Sequence, residues 1–363
     1  MLHRRLRLCL LLGFFAVALS GQTSQSSEAA VGWQAGLARI VITPDQPTWM
    51  AGYAARNKPS AGKLHDLYAK ALAVQDARGN RVVIVTTDLL GLPGALTSEV
   101  SEHANKSYGL RRAQILFNSS HTHTGPVVNS SLAGAYELTA EQNQAISQYT
   151  QQLKGKLLTV IGAALKDLSP AQLSFGRGTA KFALNRREPR PDGSIGNGVN
   201  RQGVVDHEVP VLKVATADGK LRGVMFGYAC HNTTLTGEFF QFSGDYAGFA
   251  QAALEKQYPG VTALFVTGCG ADINPYPRSK LEVARQHGDE LAKSVEQVLN
   301  GSMSPVSGQA KSIIGLTRIP FAPTPTKDEW QARLKDQNAF VKRHAERWLS
   351  KLNRDGKIMS EYP

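Results

Sequence analysis

Cysteine is nearly absent: 3 of 363 residues, too few to staple a fold, and a chain of this length buries a sizeable core without staples. Charged residues make up only 19% against 42% hydrophobic, which excludes a disordered polyelectrolyte. Long apolar runs are missing beyond the first twenty residues. Acidic residues are the scarcer sign, 29 against 41 Lys and Arg, for a net charge of +12. That excess permits an anionic partner without naming one. The length fits one large or two medium domains.

The apolar run that does exist is N-terminal. Arg4, Arg5 and Arg7 precede Leu8 to Leu19, and small residues follow at Ala18, Ser20 and Gly21. This order reads as a secretory signal peptide over 1–20. The run is shorter than the roughly 20 residues a spanning helix needs, and Cys9 sits too early for a lipid-attachment cysteine. The expectation is an exported protein, periplasmic or extracellular, with no transmembrane segment in the mature chain. Loss of three arginines takes the charge from +12 to +9. Residues 21–30, rich in Ser, Gln and Ala, read as a flexible leader, and 31–363 as one domain.

The remaining positive charge clusters only between Arg177 and Arg201, read as a basic loop. Without interleaved aromatics or a recognisable binding module it gives no case for nucleic acid. Cys230 and Cys269 remain in the mature chain as a disulfide or as two free thiols, and the sequence leaves both open.

Strand-like and helical runs alternate, which predicts an α/β layered domain with mixed, partly parallel sheets flanked by helices. Thr139 to Leu168 carries apolar residues at a 3.6 period, opens with the capping box Thr139-x-x-Gln142 and stops before Pro170. A Pro-rich hinge, 320–325, precedes a second capping box, Thr326-x-x-Glu329, and one helix over 327–352 whose Trp330 and Trp348 form a packing stripe.

Four β-branched runs end in chemistry-bearing clusters: 82–87 before Asp88, 115–117 before His121 and His123, 224–230 before His231, and 263–267 before the loop Gly268 to Asp272. If these strands share a parallel sheet, their carboxyl ends lie on one edge, where α/β proteins build sites. His121-x-His123 puts two imidazoles on one face of an extended segment, and His231 would make a third. The expected metal site therefore sits at strand carboxyl ends. The Gly-rich loop with Gly270 and Asp272 offers backbone donors for an oxyanion or a plain structural turn. Asp245, after Ser243-Gly244, reads first as a helix-start residue.

In order, Gly36 to Pro44, Met50 to Tyr53, Thr87-Asp88-Leu89, His121 to Pro126, Asn185-Arg186, Cys230-His231, Ser243 to Asp245 and Gly270 to Pro275 resemble the N-terminal catalytic domain of the neutral, non-lysosomal ceramidases. The resemblance implies a zinc amidase that splits ceramide into sphingosine and fatty acid, with ceramide or another N-acyl lipid as substrate and peripheral contact to a membrane surface. It implies zinc on His121 and His231. It assigns substrate contact or proton transfer to His123 and Arg186, and a place in the substrate loop to Asn274, where the family carries a serine. Gly270 and Asp272 fall in that loop, and Asp88 and Asp245 in the surrounding shell. The family's remaining zinc ligands, a glutamate and a tyrosine, lie downstream of the region matching Ser360 to Pro363, so the resemblance implies an incomplete catalytic domain. Two alternatives stand beside this reading: a related metal hydrolase of another amide or ester, and a non-catalytic lipid- or glycan-binding relic.

Overall fold

The computed structural model describes residues 32–129 and 135–358, and the backbone of 361–362. The expected signal peptide and leader lie outside the described residues. The chain runs β1 (Trp33–Val41), β2 (Tyr68–Gln75), β3 (Arg81–Thr87), α1 (Gly94–Tyr108), β4 (Ile115–Ser119) and α2 (Ala140–Lys166). Next come β5 (Ser169–Thr179), β6 (Ala183–Pro189), β7 (Ile195–Asn200), β8 (Glu208–Thr216) and β9 (Leu221–Tyr228). Then follow α3 (Asp245–Gln257), β10 (Thr262–Thr267), β11 (Ile273–Pro275), α4 (Leu281–Asn300), α5 (Lys327–Arg333) and α6 (Ala339–Asp355).

The main sheet has the order β10-β9-β8-β5-β1-β2-β3-β4. Only its two ends are parallel, β9 with β10 and β3 with β4. The strands between pair antiparallel. The four site-bearing strands therefore do not form one continuous parallel sheet. Their carboxyl ends meet because the sheet folds back on itself. The Asn118 side chain on β4 donates to the Thr267 carbonyl (3.1 Å) and accepts from the Thr267 amide (2.9 Å) on β10. The interior of the fold-back is sealed by Ala35, Leu72, Leu173, Val214 and Leu264.

Helices cover the outside on both sides. The α2 stripe of Leu153, Leu157, Val160, Ile161 and Ala164 packs on Ala69, Ala71, Ala73, Val83 and Val85. On the other side α3 and α4 bring Ala250, Leu254, Leu291 and Val295 onto Val211, Phe226 and Phe265. Burying each such Leu, Val or Phe contributes about 1.5–3 kcal/mol. The small alanines of β2 let α2 approach closely. At Gly36 any Cβ would collide with the α2 backbone at the Ala164 carbonyl. Because β2 is covered on both faces, its one cation, Lys70, is almost wholly buried. Its ammonium donates to Glu255 Oε1 (2.7 Å) and to the Ala263 carbonyl (2.7 Å), tying β2 to β10 across the fold.

The expected capping box of α2 is present: the Gln142 amide donates to Thr139 Oγ1 (3.2 Å) and the Thr139 amide to Gln142 Oε1 (2.9 Å). Two expectations need correction. The basic segment from Arg177 is not a loop. It forms the end of β5 and the hairpin β6–β7, which carries β11 as a third strand. The single helix over 327–352 is broken into α5 and α6. Asp336 Oδ1 accepts from the Asn338 amide (2.7 Å), and Asn338 Oδ1 caps a new helix through the Phe340 amide (3.0 Å). Local side-chain acceptors there outcompete the helical ladder. The tryptophan stripe survives the break, with Trp330 and Trp348 stacked at 6.3 Å.

Candidate metal centre

His121 follows β4 with φ 60, a left-handed conformation uncommon outside glycine. Its Nδ1 bonds the Leu90 carbonyl, beyond β3, at 2.7 Å. His231 follows β9, and its Nδ1 bonds the Gly270 carbonyl, beyond β10, at 2.8 Å. A carbonyl oxygen only accepts, so both Nδ1 atoms carry a proton, and in the neutral form of each ring Nε2 presents the lone pair. Neutral imidazole with its far nitrogen anchored on a carbonyl is the form that ligates metals. The two rings stand 4.7 Å apart, and His123 lies 5.1 Å and 5.7 Å from them. One donor atom of each of the three histidines falls within 4.8 Å of the others.

His123 differs from its neighbours in having no partner at either ring nitrogen, although both are buried. Its ring is wedged against Tyr53, edge-on at 5.0 Å. Gly52, at φ 99, makes room behind it: a Cβ there would land on the imidazole. Burial, then the charges of His121, His231 and Arg56, push the His123 pKa down to about 2. Burial likewise lowers His231 to about 4. Both are therefore neutral near pH 7. One unclaimed neutral imidazole beside two anchored ones could hold a metal ion.

The segments bearing these rings are clamped from beneath. Thr122 Oγ1 and Thr124 Oγ1 both donate to the Ser243 carbonyl, at 2.9 and 2.8 Å. Asn232 Nδ2 donates to the Gly244 carbonyl at 2.8 Å, and the His123 amide to the Asn232 carbonyl at 3.3 Å. Thr122, Thr124, Asn232 and Ser243 are fully buried, so nothing competes for these bonds. The sequence motif Ser243-Gly244-Asp245 is thus a clasp under the histidines. The clamping role of Asn232 was not expected. Its only advance signal was its place directly after His231.

Asp245 opens α3 as expected. Its carboxylate accepts from the Leu235 amide (2.8 Å) and the Tyr246 amide (2.6 Å), and burial raises its pKa to about 6. Asp88 accepts from the Tyr68 amide (2.9 Å) and Gln251 Nε2 (3.0 Å). Neither carboxylate joins the donor group of the three histidines.

The Gly-rich loop serves differently from an oxyanion cradle at Gly270. That amide already donates to the Gly268 carbonyl (2.8 Å), while the Gly270 carbonyl anchors His231. Asp272 reaches β6: its carbonyl accepts from the Arg186 amide (2.7 Å) and its carboxylate from Asn185 Nδ2 (3.2 Å). Asn274, on β11, accepts from Thr233 Oγ1 (3.3 Å) and donates to Asn197 Oδ1 (3.4 Å). The Arg186 Nε is buried without a partner. Cys230 and Cys269 are free thiols, the first buried and the second exposed. Cys269 lines a cleft of about 330 Å³ together with His121, His231, Asn118 and Thr267.

Comparison with known proteins adds an independent line. Residues 33–312 match the family described as neutral/alkaline non-lysosomal ceramidase, N-terminal. The neutral ceramidase of Pseudomonas aeruginosa is 22% identical over 311 residues, covering 79% of this chain and 45% of that protein. Neutral ceramidase A of Dictyostelium discoideum is 24% identical over 266 residues, 70% of this chain and 36% of that one. The crystal structure of the Pseudomonas aeruginosa neutral ceramidase superimposes with a TM-score of 0.64 at 22% identity, over 77% of this chain and 46% of that one. The fold is shared. The chain spans less than half the length of these relatives.

Proposed function

Since the chain belongs to the neutral/alkaline non-lysosomal ceramidase family, we propose that it is a zinc-dependent hydrolase of N-acyl amides, cleaving ceramide to sphingosine and a fatty acid. The observation that carries this reading is the pair of imidazoles anchored through Nδ1 on carbonyls, each with a donor atom within 4.8 Å of the other and of a third, unpartnered ring.

On this reading His121 and His231 hold the ion. Zinc, when bound, supplies a Lewis acid that polarises a carbonyl and acidifies water. His123, neutral and free at both nitrogens, accepts a proton during attack and returns it to the departing nitrogen. Arg186 contributes an uncommitted guanidinium for charge that develops on the substrate oxygen. Asn274 contributes hydrogen bonds alone, because an amide is neither nucleophile nor useful base. That residue favours a second reading: hydrolysis of an amide or ester other than ceramide, by the same metal and the same histidines.

Residues 31–363 serve in this proposal as the N-terminal catalytic domain, delivered outside the cytoplasm by the 1–20 segment. Contact with a membrane is peripheral in this proposal, and no described helix is long and apolar enough to cross one. The test is direct. Purified protein is assayed for release of fatty acid from ceramide before and after chelation, and again after zinc is restored. Chelator-sensitive, zinc-restored release is the expected result. Protein that binds no zinc and cleaves no N-acyl amide sinks the proposal.

A further inference from the structure

A small polar cavity of about 220 Å³ opens beside Asn274, lined among others by Asn185, Asn197, Tyr276 and Arg278. That volume takes a head group of a few heavy atoms and excludes a long acyl chain. Most of its polar lining is already satisfied internally. Asn274 bonds Asn197 and Thr233, and Asn185 bonds the Val204 carbonyl and Asp272.

Arg278 is the exception. Its guanidinium makes one hydrogen bond, from Nη2 to the Tyr53 hydroxyl at 3.1 Å, and its Nε is buried without a partner. It forms no ion pair among the described residues. Arg186, on neighbouring β6, repeats the pattern, with a buried, unpartnered Nε. Burial, then the charges of Arg187 and Arg278, hold Arg186 below its ordinary value, so the guanidinium groups feel one another. The nearby carboxylates are held elsewhere, Asp272 by Asn185 and Asp245 by the Leu235 and Tyr246 amides. Buried donors without acceptors are costly, and adjacent like charges add to the cost. An anion relieves both, and a planar fork suits a carboxylate or a phosphate.

We infer that this cavity is an anion subsite in which Arg278, reinforced by the field of Arg186, binds a carboxylate or phosphate group carried by the amide substrate. The inference rests on the second of the two amidase readings, an amide other than ceramide, because ceramide carries no anionic group. The preferred amide pairs an acyl chain with a small anionic head, as an N-acyl amino acid does.

Three probes of equal chain length separate the cases: N-dodecanoylglycine, N-dodecanoylethanolamine and its O-phosphate. With the full chain in zinc, at least one anionic probe is expected to have a KM about tenfold or more below the neutral one, the scale of one charge-assisted hydrogen bond. Arg278→Gln should erase that ratio. Arg278→Lys, which keeps the charge and loses the fork, should retain part of it. The carboxylate and phosphate arms tell which anion the cavity prefers. A neutral probe handled as well as both anionic ones overturns the subsite, as does a preference that persists in Arg278→Gln. If no probe is hydrolysed, the reading on which the subsite rests fails, and fatty-acid release from ceramide tells whether the amidase reading itself stands. Calorimetric binding of the same probes to the wild-type protein still decides the subsite, and does so too if Arg278→Gln does not fold.

Discussion

Asn118 and Thr267 stand 149 residues apart in sequence and pair as if they belonged to one ladder, the asparagine amide supplying both the donor and the acceptor that a neighbouring strand would offer. This pairing joins the two edges of the sheet next to the candidate metal centre, because His121 follows Asn118 by three residues and the Gly270 carbonyl bonded by His231 follows Thr267 by three.

Asn118→Ala should therefore act on both stability and metal affinity. Loss of two hydrogen bonds at a half-buried position is expected to cost about 1–3 kcal/mol in denaturant unfolding. Zinc affinity, measured by competition with a chromophoric chelator, should weaken by about tenfold, as for other residues that orient ligands. Unchanged affinity would dissociate the sheet closure from the site.

The histidines should separate into two classes. His121→Ala and His231→Ala are expected to abolish stoichiometric zinc binding, read by elemental analysis after dialysis. His123→Ala should keep the metal while lowering amide hydrolysis by about 100-fold or more, the scale of general acid–base catalysis. A His123→Ala protein that loses zinc instead would make this ring a ligand.

Gly52→Ala tests the space behind His123. The new methyl meets the imidazole, and the backbone at φ 99 disfavours any L side chain. The expected cost is more than about 1 kcal/mol in unfolding free energy. Turnover should be lost while zinc content is retained.

Acid should unfold the metal-free protein through the same rings. The His123 pKa of about 2 in the folded state lies below its ordinary 6.5, so the unfolded chain binds more protons between these values. Stability is then full above pH 6.5 and falls as the pH drops below it. From pH 6.5 to 5 the loss from His123 alone is about 1.7 kcal/mol, and His231, whose folded value of about 4 also lies below this window, adds nearly as much in the same direction. Urea midpoints at pH 7.5 and 5 check this, and His123→Phe should roughly halve the dependence.

Much of the site was legible from local pattern. Each cluster at a strand end follows a β-branched run, and the α2 capping box is visible in Thr139-x-x-Gln142. The reason for convergence was not. It was expected from a continuous parallel sheet and arises from a folded-back mixed one, fixed by contacts such as Asn118 with Thr267 and Lys70 with Ala263 that no local window contains. The break between α5 and α6 was missed because the apolar period continues across it, while Asp336 and Asn338 capture backbone amides locally.

The fold-back also sets when the histidine cluster comes into being. His121 hangs from the edge strand β4 and His231 from β9, next to the opposite edge, so neither half of the chain holds a complete donor set by itself. Competence to capture an ion therefore requires that closure. Zinc uptake followed during refolding would then time sheet closure, lagging the appearance of helix.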